Sequence, residues 1–437
     1  MQVWSDPRRR RWILWGTLAA AFLFVNVYRL STAVIADDLM GAFRITGTQL
    51  GMLHAVFFVV YAIMQIPTGV LVDRVGPRWT AACGAVIMNV GAIWFGLAQG
   101  FGAGIAARFL VGLGGSVIFI SMLRFTANWY RPREFVAMNG VCFAVGGLGG
   151  ILATTPFAVM VDGLGWRTAM IGLGAGGLVV AMMIGGFVRD TVQQTSLDPI
   201  SEIEPTQSLR LEEIRPAVEA VLRDRFVWIV SILLFWTAGI NLTLFGLWGI
   251  PYVVQIHGTS VRFASLFTLA GGIGAVLGPP MIGALAARIG HRDGIILLGT
   301  VLYTVAITSL AVFPRPPLLL IGGVFFSTGA LLGAFVLTFP LVKDRHPARI
   351  SGITLGTVNG AGFVGASVLP TVMGRALDAY WTGEVVAGAR VYTTTGYRIA
   401  FGLLAIGATL TVFCALWLHR TADTRFDDDR AGSKRFT

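Results

Sequence analysis

The sequence has few charged residues: only 13% are Asp, Glu, Lys or Arg, whereas soluble domains average about 25%. Hydrophobic residues make up 55%. Apolar runs of the roughly 20 residues that a helix needs to cross a bilayer recur along the whole chain. A soluble fold could not bury so many such runs, so the composition predicts a multi-pass membrane protein.

The sequence also lacks the residue clusters of an enzyme or a metalloprotein. Its three cysteines, Cys83, Cys142 and Cys414, lie singly in apolar runs without metal or redox spacing. The glycine-rich runs lack the Lys-Ser/Thr ending of a phosphate loop. We therefore predict a protein that is not an enzyme and has no cofactor and no bound metal.

Acidic residues are absent from the middle of the apolar runs, and the nearest, Asp37, Asp38 and Asp162, lie at run ends. A buried carboxylate proton carrier or a sodium site is therefore unsupported. Facilitated diffusion remains open, as does proton coupling through His54 or an edge acid, since histidine titrates near neutral pH.

Twelve apolar segments predict an all-α membrane protein, and we number them spans 1 to 12. They form two six-helix bundles, residues 1–188 and 227–418, joined by a linker, 189–226, and followed by a tail, 419–437. The predicted spans are Trp12–Ala36, Thr48–Val72, Trp79–Ala98, Ala103–Ala127, Val136–Met160, Thr168–Val188, Val227–Tyr252, Val261–Ala286, Gly294–Phe313, Leu318–Leu341, Ile350–Met373 and Ile399–Trp417.

The net charge of +11 is explained by topology without invoking nucleic acid. Most Lys and Arg residues fall on the side of the N-terminus, and basic loops stay in the cytoplasm. Both termini are thus predicted to be cytoplasmic, in a bacterial inner membrane, with Arg8 to Arg11 preceding a first helix that is retained. The expected partners are a small-molecule substrate and the lipid bilayer, and the expected state is a monomer.

The two bundles repeat each other in sequence. The bridge between spans 2 and 3, Gly69–Arg78, recurs in weaker form between spans 8 and 9 as Gly283–Arg292. Gly165-Trp166-Arg167 is echoed by Gly396-Tyr397-Arg398, and Asn139-Gly140 by Ser351-Gly352. Six-helix repeats of this kind are typical of transporters in which one half rocks against the other.

The linker leaves two interpretations open. Its segment 209–222 alternates apolar and charged residues at helical spacing, which fits a helix lying on the membrane surface. A partly ordered linker fits equally well.

The bridge motif carries a family resemblance over nearly the full length. Gln65-Ile66-Pro67, Gly69, Asp73, Arg74, Gly76 and Arg78, together with Arg108, Gly112, Gly114 and Gly115 in span 4, resemble the signatures of the major facilitator superfamily. Span 5 has Gly146-Gly147-Leu148-Gly149-Gly150 without the proline of the drug:proton antiporter branch. The run 28–40, followed by Gln49-Leu50-Gly51, is more similar to bacterial organic-acid or nutrient permeases.

The resemblance implies that spans 1, 4, 7 and 10 line a central cavity. It would place Arg29 and Arg108 on the cavity wall, and two guanidiniums suit a carboxylate or phosphate. The predicted substrate-binding residues are Arg29, Arg108, Asn26, His54, Trp236, Asn241, Phe325 and Thr328.

The bridge is predicted to act as an inner gate. Asp73 would meet the N-terminus of span 11 near Ile350 and Ser351, where the helix dipole favours a carboxylate. Gly69 would allow close packing and Gly76 the turn. Arg124 would extend to the membrane surface, with a role in the gate as the alternative. The other predicted gating residues are Arg74, Arg78, Arg288 and Arg292.

These features predict a secondary active or facilitative transporter, a symporter or a uniporter, for a small organic anion. Transport would proceed by alternating access. The alternative is a proton-coupled efflux carrier for amphipathic drugs or metabolites, which would favour an acidic residue in the cavity and the missing span 5 proline.

Overall fold

The computed structural model describes residues 7–190, 211–343, 345, 347 and 350–433, and it is almost entirely helical. Spans 1 to 6 are Pro7–Leu30; Gly47–Ile63 with Gln65–Val75; Pro77–Leu97; Phe101–Ser116 with Ile118–Trp129; Pro132–Leu152 with Thr155–Leu164; and Trp166–Phe187. Spans 7 to 12 are Arg225–Thr243 with Leu244–Trp248 and Gly249–His257; Val261–Ile289; Arg292–Val312; Leu318–Ala330 with Leu332–Val336 and Thr338–Lys343; Ser351–Ala379; and Thr394–Ser433.

The predicted helical spans are confirmed, although several are interrupted. Among the described residues, eleven helices are long and apolar enough to cross a membrane, and the count reaches twelve when the bent pair Ala36–Phe43 and Gly47–Ile63 is included. Span 2 was predicted to be continuous, but it breaks at Met64. Pro67 explains the break, because a proline in a helix clashes with the carbonyl four residues earlier, here that of Ile63.

The ends of spans 1 and 12 differ from the prediction. Span 1 ends at Leu30 and not at Ala36, and it continues as a short 3₁₀ turn, Ser31–Ala33. The helix Ala36–Phe43 then leads into span 2. At the other end of the chain, span 12 runs to Ser433, so the predicted tail 419–437 is helical through that residue. Residues 434–437 of the tail lie outside the described residues.

The described part of the linker contains the helix Leu211–Arg223. Ala217 and Val221 on this helix are buried, and the helix contacts span 11. It therefore packs on the protein with one face. Residues 191–210 of the linker lie outside the described residues.

The sequence repeat has a structural counterpart at the start of spans 6 and 12. The Arg167 guanidinium donates to the carbonyls of Gly96 (3.0 Å) and Ala98 (2.6 Å) at the end of span 3. The Arg398 guanidinium donates to the carbonyl of Ala311 (3.0 Å) near the end of span 9. Each arginine thus satisfies carbonyls that a helix end leaves without a partner, and the two halves repeat this arrangement.

Glycines bring neighbouring spans into backbone contact. A Cβ on Gly114 of span 4 would collide with the carbonyl of Gly84 and the backbone of Met88 in span 3. In the second half, a Cβ on Gly274 or Gly278 of span 8 would collide with the backbone of span 10. Small residues allow this close approach where no hydrophobic effect drives helices together in lipid.

The two halves meet at one end of the molecule and separate at the other. We call the end that carries both termini the inner end, following the predicted orientation, and the opposite end the outer end. At the outer end, Gly47 of span 2 packs on Gly374 of span 11, and Gly51 packs on Pro370 and Thr371. At the inner end of the same spans, Gly69, Gly352 and Gly356 have no neighbour that a Cβ would meet. The space between the halves therefore opens at the inner end.

Candidate functional site

Interruptions in the helices surround the middle of the molecule. Span 1 changes to a 3₁₀ turn after Leu30, span 4 breaks at Val117, and span 10 breaks at Leu331 and Leu337. Span 7 contains a π-helical segment, Leu244–Trp248. Transporters use discontinuous helices near their binding sites, and π-segments occur often at functional sites. These four spans are those expected to line the central cavity, although spans 2 and 5 are interrupted as well.

Arg29 lies in this region, half-buried between the two halves. Its guanidinium carbon is 5.8 Å from the ring centre of Phe57, 5.1 Å from that of Tyr61 and 5.7 Å from that of Phe363. One Nη donates to Oδ1 of Asn26 at 3.3 Å. Asn26 in turn donates to the carbonyl of Phe22 at 2.9 Å, one turn earlier in the same helix. The Arg29 side chain is thus held by rings from spans 2 and 11 and by a neighbouring amide.

Arg108 is fully buried in the first half. Its Nη1 donates to the carbonyl of Tyr28 at 2.8 Å, close to the point where span 1 stops being α-helical. Its Nε and Nη2 have no hydrogen-bond partner among the described residues. Its guanidinium carbon lies 5.3 Å from the Phe57 ring, which Arg29 also contacts. Arg108 therefore supports the backbone beside Arg29 and retains unused donors.

His54 is also fully buried, and neither ring nitrogen has a hydrogen-bond partner in the described part of the chain. Its ring centre is 5.0 Å from that of Phe58. A Cβ on Gly246, in the π-helical segment of span 7, would lie 2.9 Å from Cε1 of His54. His54 therefore packs across the boundary between the halves. Phe57 and Phe58, 5.1 Å apart, connect it to the two arginines.

In the part of the chain that the structure describes, no carboxylate pairs with the central arginines. Among the described residues, the ion pairs join Arg11 to Glu134, Arg124 to Asp73, Arg345 to Asp224, Arg390 to Asp378 and His419 to Asp293. None of these pairs includes Arg29 or Arg108. A charge without a partner costs several kcal/mol at mid-membrane and faces the bundle interior or a pathway.

The other four predicted site residues have packing contacts within the second half. The carboxamide of Asn241 donates to the Tyr303 hydroxyl at 2.9 Å, joining spans 7 and 9. The Trp236 ring covers Gly407 of span 12. Phe325 is buried against Phe245, with ring centres 5.7 Å apart. The hydroxyl of Thr328 donates to its own helix at the Val324 carbonyl, 2.8 Å away. None of these contacts connects the four residues to Arg29, Arg108 or His54.

Sequence reasoning missed the aromatic residues around Arg29. Phe57, Phe58 and Tyr61 lie on one face of span 2, and Phe363 of span 11 faces them with its ring centre 4.7 Å from that of Tyr61. The helical spacing of residues 54, 57, 58 and 61 was the one sequence pattern that could have indicated this aromatic face. It could not be distinguished from ordinary packing, because aromatic residues are common in membrane helices.

At the inner end, the structure does not show the predicted contact of Asp73 with span 11. The Asp73 side chain is 57% exposed, and its carboxylate lies 3.4 Å from Arg124 of the same half. Arg124, which was predicted to extend to the membrane surface, is 50% exposed and pairs with this acid. Gly69 was expected to allow close helix packing, but it has no close neighbour. Both differences follow from the separation of the halves at this end.

The rest of the bridge is tied to its own half. Gly76 has φ +89°, and the carboxylate of Asp190 packs against it. The Arg78 amide donates to Asp190 at 2.7 Å, which caps the start of span 3, and its Nε donates to the Gly185 carbonyl at 3.0 Å. Gly76 thus permits the predicted turn. The remaining predicted gating residues, Arg74, Arg288 and Arg292, are exposed.

Comparisons with known proteins agree with this architecture. The family model described as "Major Facilitator Superfamily" matches residues 14–279 and 239–436. The chain is 25% identical to the "Probable sulfoacetate transporter SauU" of Cupriavidus necator, with 98% of each chain covered. It is 24% identical to the "Hexuronate transporter" of Bacillus subtilis, covering 92% of this chain and 93% of the relative.

Solved structures give the same fold. A bacterial homologue of the human lysosomal transporter Spinster superimposes with a TM-score of 0.77 at 16% identity. The superposition covers 94% of this chain and 97% of the other. At this level of identity the likeness establishes the fold alone.

Proposed function

Since the chain belongs to the major facilitator superfamily, whose members are transporters and not enzymes, we propose that it carries a small organic anion across a bacterial inner membrane. The two halves alternate in exposing the site to either side, and both termini lie in the cytoplasm. The protein acts alone, without a cofactor. Its transported solute bears at least one carboxylate, sulfonate or phosphate.

The observation that carries this proposal is that neither central arginine, Arg29 or Arg108, forms an ion pair with a carboxylate of the described residues. Arg29 reaches the space between the halves, and its planar guanidinium can bind a carboxylate or sulfonate through two parallel hydrogen bonds. A bound anion would neutralise a charge that is costly in the membrane. The relatives that match over nearly the whole chain are named for sulfoacetate and hexuronate, which are both organic anions.

Arg29 lies where an anion bound to it can influence both halves. Phe57 and Tyr61 belong to span 2, and Phe363 belongs to span 11 of the other half. An anion bound at Arg29 therefore lies at their boundary. Differential binding to two conformations is what allows a ligand to shift their equilibrium.

A thermal-shift screen of the purified protein tests the proposal. Organic acids, sugar acids and sugar phosphates are compared with peptides and cationic dyes, and we expect stabilisation by anions only. Arg29→Ala should remove most of that stabilisation, because the charged hydrogen bonds are worth about 1.5–3 kcal/mol each. Arg29→Lys, which keeps the charge but not the paired donors, should retain part of it.

The matched control is Arg315→Ala, which removes an exposed arginine from the loop between spans 9 and 10. This variant should respond to anions as the unmodified protein does. Stabilisation by cationic dyes alone would contradict the proposal and favour the drug-efflux alternative. An anion response that survives in Arg29→Ala would exclude Arg29 from the site.

A further inference from the structure

At the outer end, one carboxylate accepts hydrogen bonds from both halves of the molecule. Asp378 lies in the last turn of span 11, and its side chain is 17% exposed. Its donors come from the start of span 2 in the first half and from the segment that follows span 11 in the second half. No other carboxylate in the described residues has hydrogen bonds of this kind from both halves.

The donors from the first half lie at the N-terminus of the span 2 helix. Asp378 accepts from the Gly47 amide at 3.0 Å, the Thr48 amide at 2.8 Å and the Thr48 hydroxyl at 2.6 Å. The next amide, that of Gln49, donates to the Thr46 hydroxyl in a capping box. The first amides of a helix have no partner within it, and its dipole favours a negative charge there. Asp378 thus completes the cap of span 2 from the opposite half.

The donors from the second half hold the carboxylate in place. The Arg390 guanidinium donates to Asp378 at 3.1 Å, and the Tyr392 hydroxyl donates to it at 2.9 Å. Arg390 also lies over the Trp381 ring, with 4.0 Å between the guanidinium carbon and the ring centre. Asp378 is therefore oriented toward span 2 by residues of its own half.

Arg390 belongs to a short β-hairpin that crosses to the first half. The strands β1, Val385–Val386, and β2, Ala389–Arg390, are joined by Ala387 and Gly388, both with positive φ. A two-residue turn of this kind suits the twist of a tight hairpin. Its tip packs on the helix Ala36–Phe43, where a Cβ on Gly41 would lie 2.8 Å from the Ala387 carbonyl oxygen.

Gln255, at the outer end of span 7, links the hairpin segment to the same helix. Its carbonyl oxygen accepts from the Tyr392 amide at 3.0 Å and from the Tyr397 hydroxyl at 3.1 Å. Its amide nitrogen donates to Asp37 of the first half at 3.4 Å. The contact between the halves is thus a connected network and not an isolated pair.

We propose that Asp378, Arg390 and Tyr392, with Gly47, Thr48 and the hairpin, form an outer clasp that holds the outer end closed and must separate before the transporter opens outward. Opening would leave the Gly47 and Thr48 amides without the carboxylate that caps them. The inference rests on the proposed alternating access, but it concerns the equilibrium between conformations and not the solute.

Distance measurement between spin labels tests the clasp. Gln99 and Arg315, exposed at the outer ends of the two halves, are replaced by cysteine and labelled after the three native cysteines are replaced by serine. The distance distribution is recorded in lipid without substrate. Asp378→Asn should add a longer, outward-open population, raising its ratio to the closed one about tenfold, because charged hydrogen bonds are lost.

Two further variants separate the clasp from a general loss of folding. Gly41→Val leaves Asp378 intact but displaces the hairpin tip, so it should also increase the longer population. Glu384→Gln makes the same acid-to-amide change on an exposed residue of the same loop and should leave the distribution unchanged. Gel filtration and the melting temperature check that each variant is folded.

Folded Asp378→Asn and Gly41→Val proteins with an unchanged distance distribution would overturn the proposal. An equal shift in Glu384→Gln would also overturn it, because the effect would then belong to the loop in general. The measurement uses no substrate, so the failure of every anion to bind would refute the proposed function without affecting this result.

Discussion

Charged residues in this protein fall into two groups with different surroundings. Arg29 and Arg108 in the middle of the bundle have no carboxylate within 4 Å among the described residues. Several charged residues at the ends are paired, and Arg11 and Glu134 at the inner end form a bidentate pair with both distances at 3.0 Å. Of the two central arginines, Arg108 is fully buried and Arg29 is partly exposed, so Arg29 is the one that we propose binds the anion.

The Arg11–Glu134 pair gives the folded protein a pH-dependent contribution to stability. Glu134 lies ahead of the apolar segment Ala137–Leu164 that crosses the membrane, and hydrogen bonds from Arg11 and from the Arg131 amide lower its pKa below the usual value. Such a contribution is present above the unfolded-state pKa of the acid and is lost as the pH falls through its folded-state pKa. Glu134→Gln should therefore cost about 0.3–1 kcal/mol at neutral pH, a small value because the side chain is partly exposed.

Thermal unfolding of Glu134→Gln and the unmodified protein, measured at several pH values, checks this expectation. The difference in melting temperature should shrink as the pH falls below 4. A difference that stays constant down to the lowest pH would show that the ion pair is not its source. Glu384→Gln, which changes an exposed acid at the outer end, provides the baseline.

Glycines in the spans occupy two kinds of environment, packed against a neighbouring backbone or open. Gly114 of span 4 lies against the backbone of Gly84 and Met88 in span 3, while Gly102 near the start of the same span has no neighbour within 4 Å of a Cβ. The two glycines therefore occupy opposite environments on one helix. Only the first is required by packing.

A matched pair of alanine substitutions should change stability in opposite directions. Gly114→Ala introduces a methyl group into backbone contact and should cost about 1–3 kcal/mol. Gly102→Ala, on an open helix surface, should stabilise by roughly 0.5–1 kcal/mol because alanine loses less conformational entropy in a helix. Melting temperatures in the same detergent test both, and a loss of stability in both variants would contradict the packing argument.

The sequence predicts the spans well because each membrane helix corresponds to a long run of apolar residues. The π-helical segment of span 7 and the hairpin at Val385–Arg390 leave no comparable pattern. Arg29 could be selected as a candidate site residue because a charge in a span is rare. Phe325 and Thr328 could not be assigned to a cavity or to packing, since that depends on which face of span 10 points inward. Clasp residues such as Asp378 look like ordinary loop-end polar groups until both halves are placed.

The whole molecule has related carboxylates at opposite ends of one helix pair. Asp378, at the end of span 11, caps the start of span 2. Asp73, near the end of span 2, is predicted to face the start of span 11, and in this conformation it pairs with Arg124. At the outer end span 11 supplies the carboxylate and span 2 the helix N-terminus, and at the inner end the predicted contact reverses these roles. Closing one end would form one cap while the other is broken.

The two carboxylates should therefore shift the conformational equilibrium in opposite directions. In the spin-labelled Asp378→Asn protein, adding Asp73→Asn should reduce the outward-open population about two- to fivefold, since a carboxylate at a helix N-terminus is worth about 0.3–1 kcal/mol. The distance between labels at positions 99 and 315 measures the change. An increase in the outward-open population would show that Asp73 does not stabilise the closed inner end.

The outer clasp would also make the same site bind its solute with different apparent affinity from the two sides. A solute arriving at the outer end meets a protein of which only a small fraction is competent to receive it, and its apparent dissociation constant rises by the reciprocal of that fraction. A solute arriving at the inner end meets no such restriction. Weakening Asp378 would then improve capture from outside even though Arg29 and its surroundings are unchanged.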